Sequence, residues 1–100
     1  MSSYLFDVVV IGAGAVGLAI AENLSKIYKN VALIEKEAQF GLHASSRNSE
    51  VIHSGIFNDL TSEKFKFCVE GKNLLYDFLE KYNLEFEQTE KIIVSKDTEN

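Results

Sequence analysis

The sequence predicts an α/β fold: a βαβ unit with two parallel strands, then a polar loop, a helix and short strands. Three observations carry this expectation. The run "FDVVVI", Phe6 to Ile11, is short, rich in β-branched residues and ends against Gly12. The hydrophobic period then changes to that of a helix, from Gly14 to about Tyr28. A second apolar run, "VALI", follows at Val31 to Ile34. Short continuous apolar runs on either side of a helix read as fully buried strands of a parallel sheet.

Each element has its own signature. Val16, Ile20, Leu24 and Ile27 share one face of the first helix, while Glu22, Lys26 and Lys29 lie elsewhere. Asn30 suits its C-terminus. Residues 36–61 have no clear period, although Val51-Ile52 and Ile56-Phe57 suit short extended pieces. Ser62 has the chemistry of a helix N-cap, with Glu63 in the first turn. Phe65, Cys68, Val69, Leu75, Phe78, Leu79 and Tyr82 form a helical stripe, and Asn83 is a plausible stop. Gly71 inside that helix costs roughly 1 kcal/mol against alanine, and close packing is a reason to keep it. "LEFEQ" at 84–88 alternates and "KIIVS" at 91–95 reads as a further strand.

Composition narrows the function classes. The chain has 100 residues, one small domain's worth, with a net charge of −5. A chain of this length buries about two-thirds of its unfolded surface. Residues 1–60 carry six acids and four bases, and residues 61–100 carry nine and six. With no basic block, nucleic-acid binding through phosphate neutralisation is not expected. The single cysteine, Cys68, forms no internal disulfide, and no Cys/His cluster has metal-ligand spacing, so no metal site is expected. The start "MSSYLFD" lacks a basic segment before its apolar run, so no signal peptide is expected, and no apolar run reaches membrane-spanning length. These features suit a reducing, cytoplasmic setting.

"GAGAVG", comprising Gly12, Ala13, Gly14, Ala15, Val16 and Gly17, fits the pattern G-x-G-x-x-G. Alone that pattern is weak. Between a buried strand and an apolar helix, with an acid closing the second strand, it is strong for dinucleotide binding. Gly12 permits the tight turn, Gly14 lets backbone approach a pyrophosphate, and Gly17 lets the helix lie close to the strands. The helix N-terminus offers free N–H groups to the phosphates. Glu35, beside Lys36, is placed to accept from the hydroxyls of an adenosine ribose and to repel a 2′-phosphate. An NAD domain continues directly into another helix and buried strand. Here "SSRNSEVIHSG", Ser45 to Gly55, comes next, which favours FAD. Arg47 is the only arginine beside nine lysines, and its planar fork suits an anion.

The segments "DVVVIGAGAVGLAIAENL", "VALIEKE", "SSRNSEVIHSGIF" and "CVEGKNLLYDF" together resemble the N-terminus of FAD-dependent oxidoreductases of the D-amino-acid oxidase superfamily, closest to the L-2-hydroxyglutarate dehydrogenase/oxidase family. "RNSEVIHSGI" followed by "CVEG" is the most particular part. The resemblance implies a Rossmann-like FAD-binding domain, with residues 1–100 as its N-terminal portion and a substrate domain outside this chain. It implies oxidation of a 2-hydroxy acid, L-2-hydroxyglutarate to 2-oxoglutarate, by hydride transfer to flavin. Oxygen or a membrane quinone carrier would take the electrons, and the whole enzyme would associate peripherally with a membrane, at its inner face. By position, Ser45, Ser46, Arg47 and Asn48 match the segment along the pyrophosphate and flavin. His53 falls near the isoalloxazine ring and the reaction centre, and is the candidate catalytic residue. "FNDLTSEKF" departs from the family's proline-containing segment, and Glu90 replaces a glycine; both bear on the substrate more than on the cofactor.

Plainer roles stand beside these. Ser45, Ser46 and Asn48 suit turns and caps. His43 suits an exposed loop and Cys68 a core thiol. The runner-up activities are a related amine or glycerol-3-phosphate oxidoreductase. The competing class is a non-catalytic dinucleotide-binding module, and 100 residues alone are expected to be inactive.

Overall fold

A computed structural model describes residues 2–94 and 96. The chain divides into two compact units, Met1–Val51 and Ile52–Asn100.

The first unit is the βαβ element. Strand β1 is Val8–Ile11, helix α1 is Ala15–Ser25 and strand β2 is Val31–Ile34. The strands pair in parallel, with Val8 opposite Val31 and Ile11 opposite Ile34. Their starts are tied together, because the Asp7 N–H donates to the Asn30 carbonyl at 2.9 Å and the Asn30 N–H to the Asp7 carboxylate at 3.1 Å. The Gly12 N–H continues the ladder to the Ile34 carbonyl at 2.7 Å. A single turn of 3₁₀ helix, His43–Ser46, closes the unit.

Three sequence expectations shift here. β1 begins at Val8 rather than Phe6, because its partner strand begins at Val31. α1 ends at Ser25 rather than Tyr28. The N–H groups of Lys26 and Ile27 turn back to Asn23 and Leu24, and Asn30 leads into β2 instead of capping the helix. The strands are not fully buried: Val9 is 45% exposed and Ile11 84%. Two strands with one helix leave a sheet face and both edges bare. Ala13 is the buried apolar residue of the unit.

The second unit is dominated by helix α2, Glu63–Lys81. Ser62 caps it as expected, its Oγ accepting the Phe65 N–H at 3.1 Å. The other end also follows the sequence. Asn83 adopts φ +52°, its N–H reaches the Glu80 carbonyl, and the Leu84 N–H reaches the Leu79 carbonyl at 2.8 Å. That pairing satisfies the last carbonyls by a left-handed cap. Phe65, Cys68, Val69, Tyr76 and Leu79 are half-buried on one face, while Leu75, Phe78 and Tyr82 of the expected stripe are exposed. A side chain at Gly71 would meet open space, so close packing does not explain that glycine in this chain.

The expected strands at 84–88 and 91–95 do not form among the described residues, and Ser95 lies outside them. Nor do Val51-Ile52 and Ile56-Phe57 form strands. Phe86 instead folds onto Tyr76, with ring centroids 5.3 Å apart. Alternation alone supplies no neighbouring ladder, and an unpaired strand leaves its backbone groups to water.

Candidate functional site: a glycine-cradled cleft

The first unit holds a cleft of about 490 Å³ at the strand ends. Gly12, Gly14, Glu35, Lys36 and Ser45 line it, together with Ile11, Ile34 and the turn Leu42–Ala44. It thus joins the glycine motif, the end of β2 and the start of the polar stretch. Residues about 30 positions apart meet at one helix terminus.

The glycines meet separate demands. Gly12 has φ +104°, a conformation L side chains rarely adopt. A Cβ on Gly17 would fall on the Gly12 carbonyl oxygen, and its distance to the Gly12 carbonyl carbon would be 2.9 Å. The helix therefore lies directly against the turn that precedes it. A Cβ on Gly14 would stand 2.9 Å from the Ser45 Oγ.

α1 has no side-chain cap of its own, since Gly14 occupies that position. Ser45 supplies the missing acceptor from a distance: its Oγ accepts the Ala15 N–H at 2.8 Å. Its own hydroxyl hydrogen stays available to a further acceptor. Among the described residues, the N–H groups of Gly14, Val16 and Gly17 have no hydrogen-bond partner. A helix start with free donors and a partial positive charge suits an anion.

Glu35 is held rigidly. One carboxylate oxygen accepts the Ala13 N–H at 2.8 Å, and the other accepts the Glu37 N–H at 3.0 Å. The Glu37 N–H, then the Ala13 N–H, hold its carboxyl below the ordinary value; slight desolvation opposes them, while the Lys36 backbone and the charge of His43 assist. An ionised carboxylate has about four lone-pair sites, so each oxygen keeps capacity for a ribose hydroxyl. The Gly41 N–H donates to the Ala13 carbonyl at 2.7 Å, which stitches the following loop to the motif.

The remaining predicted residues divide. Ser46 Oγ donates to the His43 carbonyl, and Asn48 Nδ2 donates to the carbonyls of Ala44 and Ser45. Both serve the 3₁₀ turn that presents Ser45. Arg47 is exposed and has no ion pair among the described residues. His53 lines a cavity made wholly by residues of the second unit. Leu42, His43 and Ala44 line the cleft although the sequence marked only His43, as an exposed loop residue. His43 is indeed exposed, with φ +61° and its Nε2 3.1 Å from Glu37 Oε1. Its neighbour Gly41 was the available signal, since a glycine between an apolar pair marks a turn.

The geometry defines a Rossmann-like α/β module with a glycine-lined cleft at its strand ends. A family model described as FAD dependent oxidoreductase (DAO) matches residues 7–100, and the chain belongs to that family. It is 46% identical over 89 residues to an L-2-hydroxyglutarate dehydrogenase, mitochondrial, of Arabidopsis thaliana, covering 89% of this chain and 18% of that protein. It is 38% identical over 100 residues to the protein of that name from Homo sapiens, covering 98% and 22%. It is 42% identical over 92 residues to an L-2-hydroxyglutarate dehydrogenase of Indibacter alkaliphilus, covering 90% and 23%. The chain thus spans about a fifth of the length of the curated relatives it matches.

The residues present fit FAD, the cofactor of that family. A Cβ on Gly14 would crowd the Ser45 hydroxyl at the cleft, the start of α1 keeps free donors, and a fixed carboxylate stands at the end of β2. Among the described residues there is no group of three or more His, Cys, Asp or Glu able to hold a metal. No described helix is long and apolar enough to cross a membrane.

Proposed function

We propose that residues 1–100 are the FAD-anchoring N-terminal portion of an enzyme that oxidises L-2-hydroxyglutarate to 2-oxoglutarate. One observation supports the cofactor role above others: Glu35 and Ser45 converge on the glycine cradle from separate segments. The substrate reading rests on the names carried by relatives that match nearly the whole chain.

In this reading the chain binds and orients. Gly14, Val16 and Gly17 N–H groups and the Ser45 hydroxyl donate to the pyrophosphate. Glu35 accepts from the ribose, and its charge disfavours a 2′-phosphate. Arg47 adds a cation beside the same anion, while Ser46 and Asn48 hold the turn. His53 serves near the reacting carbon, as hydrogen-bond partner rather than assigned base. Bound FAD supplies the hydride acceptor. Oxygen or a quinone carrier would take the electrons, and the substrate domain would lie outside these 100 residues.

The purified enzyme containing this chain should be yellow, release FAD on denaturation and bleach anaerobically with L-2-hydroxyglutarate. A colourless protein that takes up no added FAD would overturn the cofactor role. Bleaching by another hydroxy acid but not by this one would overturn the substrate.

A further inference from the structure

We propose that the cavity between the loop at 52–58 and the first turns of α2 binds a small carboxylate. It measures about 180 Å³ and is lined by His53, Ser54, Asn58, Lys64, Cys68 and Lys91, among others. Every lining residue belongs to the second unit.

Charge is the first argument. The chain carries a net −5, yet this cavity gathers two lysines and no acid. Among the described residues neither Lys64 nor Lys91 has a carboxylate within ion-pair distance. On α2 the residues three and four positions after Lys64 are Phe67 and Cys68, so its own helix supplies no counter-charge. Lys91 lies over the Phe57 ring, 5.2 Å from its centroid. That contact holds the side chain in place without neutralising it.

The walls add directed donors. Ser54 Oγ accepts the Ile56 N–H at 3.3 Å, which leaves its hydrogen free to donate. Asn58 Nδ2 reaches Cys68 Sγ at 3.5 Å and so fixes the amide. Gly55 is buried against α2; a Cβ there would meet the Cys68 Cβ at 3.1 Å. The loop is therefore seated on the helix.

Size is the second argument. Pockets for drug-sized ligands run from about 300 to 1,000 Å³. This cavity is smaller, so a dinucleotide is excluded and a small organic acid fits. The choice of carboxylate over phosphate rests on the proposed 2-hydroxy-acid activity, whereas the cationic character of the cavity does not.

Cys68 is the chain's only cysteine and lines the cavity, so it reports occupancy directly. The purified protein is treated with the neutral reagent N-ethylmaleimide, and alkylation of the Cys68 peptide is timed by mass spectrometry. Glutarate, which has no hydroxyl to oxidise, is the probe. It should slow alkylation several-fold where glycerol does not. The double variant Lys64→Gln/Lys91→Gln should lose that protection, and Lys29→Gln should keep it. No protection in the unaltered protein, or equal protection in the double variant, overturns the proposal. Protection by inorganic phosphate but not glutarate overturns the carboxylate assignment. Where the thiol resists alkylation, calorimetric titration of glutarate makes the same comparison: a tenfold weaker affinity in the double variant supports the site, and an unchanged affinity overturns it. FAD content is measured in the same samples. Protection in a protein that takes up no added FAD supports this site and overturns the cofactor role; FAD uptake without protection does the reverse.

Discussion

The two units hold their shapes by opposite means. In the first, the decisive hydrogen bonds join residues far apart in sequence: Asp7 with Asn30, Ala13 with Glu35, Ala15 with Ser45. In the second, they are local. Ser62 caps Phe65, Asp59 accepts from Thr61, and Asn58 reaches Cys68 ten positions on. The cleft of the first unit is a meeting of distant segments, and none of them builds it alone. The second unit is organised around one helix with its own start and stop signals. Long-range closure costs more chain entropy but brings together groups that no local turn can. That arrangement suits the proposed role of holding a large, charged cofactor.

The sharpest way to break this contrast is at Gly17. Gly17→Ala drives a methyl into the Gly12 carbonyl. Overpacking of this kind costs about 1–3 kcal/mol or more. Urea unfolding should show a lower midpoint and FAD retention should fall, while the helix caps of the second unit stay intact. An unchanged midpoint would remove the close-contact account of the motif.

A smaller effect is expected from the local cap. Ser62→Ala removes the acceptor for the Phe65 N–H and should cost about 1 kcal/mol. It should fray the start of α2 by hydrogen exchange and leave FAD retention unchanged. Loss of FAD retention would show that the units are not energetically independent.

The smallest effect is in the acid limb of stability. Glu35 and Asp59 both have carboxyls held below their ordinary values, Glu35 by the Glu37 and Ala13 N–H groups and Asp59 by the Thr61 hydroxyl and N–H. A folded pKa below the unfolded one contributes stability above the unfolded value. That contribution is lost as pH falls from about 4.5 for Glu35, or 3.8 for Asp59, towards the folded pKa. Glu35→Gln should flatten the loss of stability over this range. Asp59→Asn should do so less, because both its bonds come from Thr61 two residues away and that turn persists partly in unfolded chains, whereas Glu35 is held by Ala13, 22 positions off, as well as by its near neighbour Glu37. Equal flattening in the two variants would erase the distinction between distant and local bonds.

Legibility in the sequence followed the same divide. β1 and β2 were readable from short apolar runs and both helices from their period, with the start of β1 and the end of α1 displaced, and Ser62 and Asn83 from capping chemistry. The alternation at 84–88 misled, since period 2 marks a surface suited to a sheet but supplies no partner strand. Lys64 carried no local mark at all. It matters only because a loop and Lys91 enclose the same space.

The βαβ order, the glycines and their acid, and the limits of α2 follow from the amino-acid order. Those depend on neighbours within a turn or on short-range stereochemistry. It took the folded arrangement to show that Ser45 completes the start of α1, and that two lysines without an ion-pair partner among the described residues share a cavity with the chain's sole thiol. Those outcomes depend on where separate segments come to rest, which no periodicity encodes.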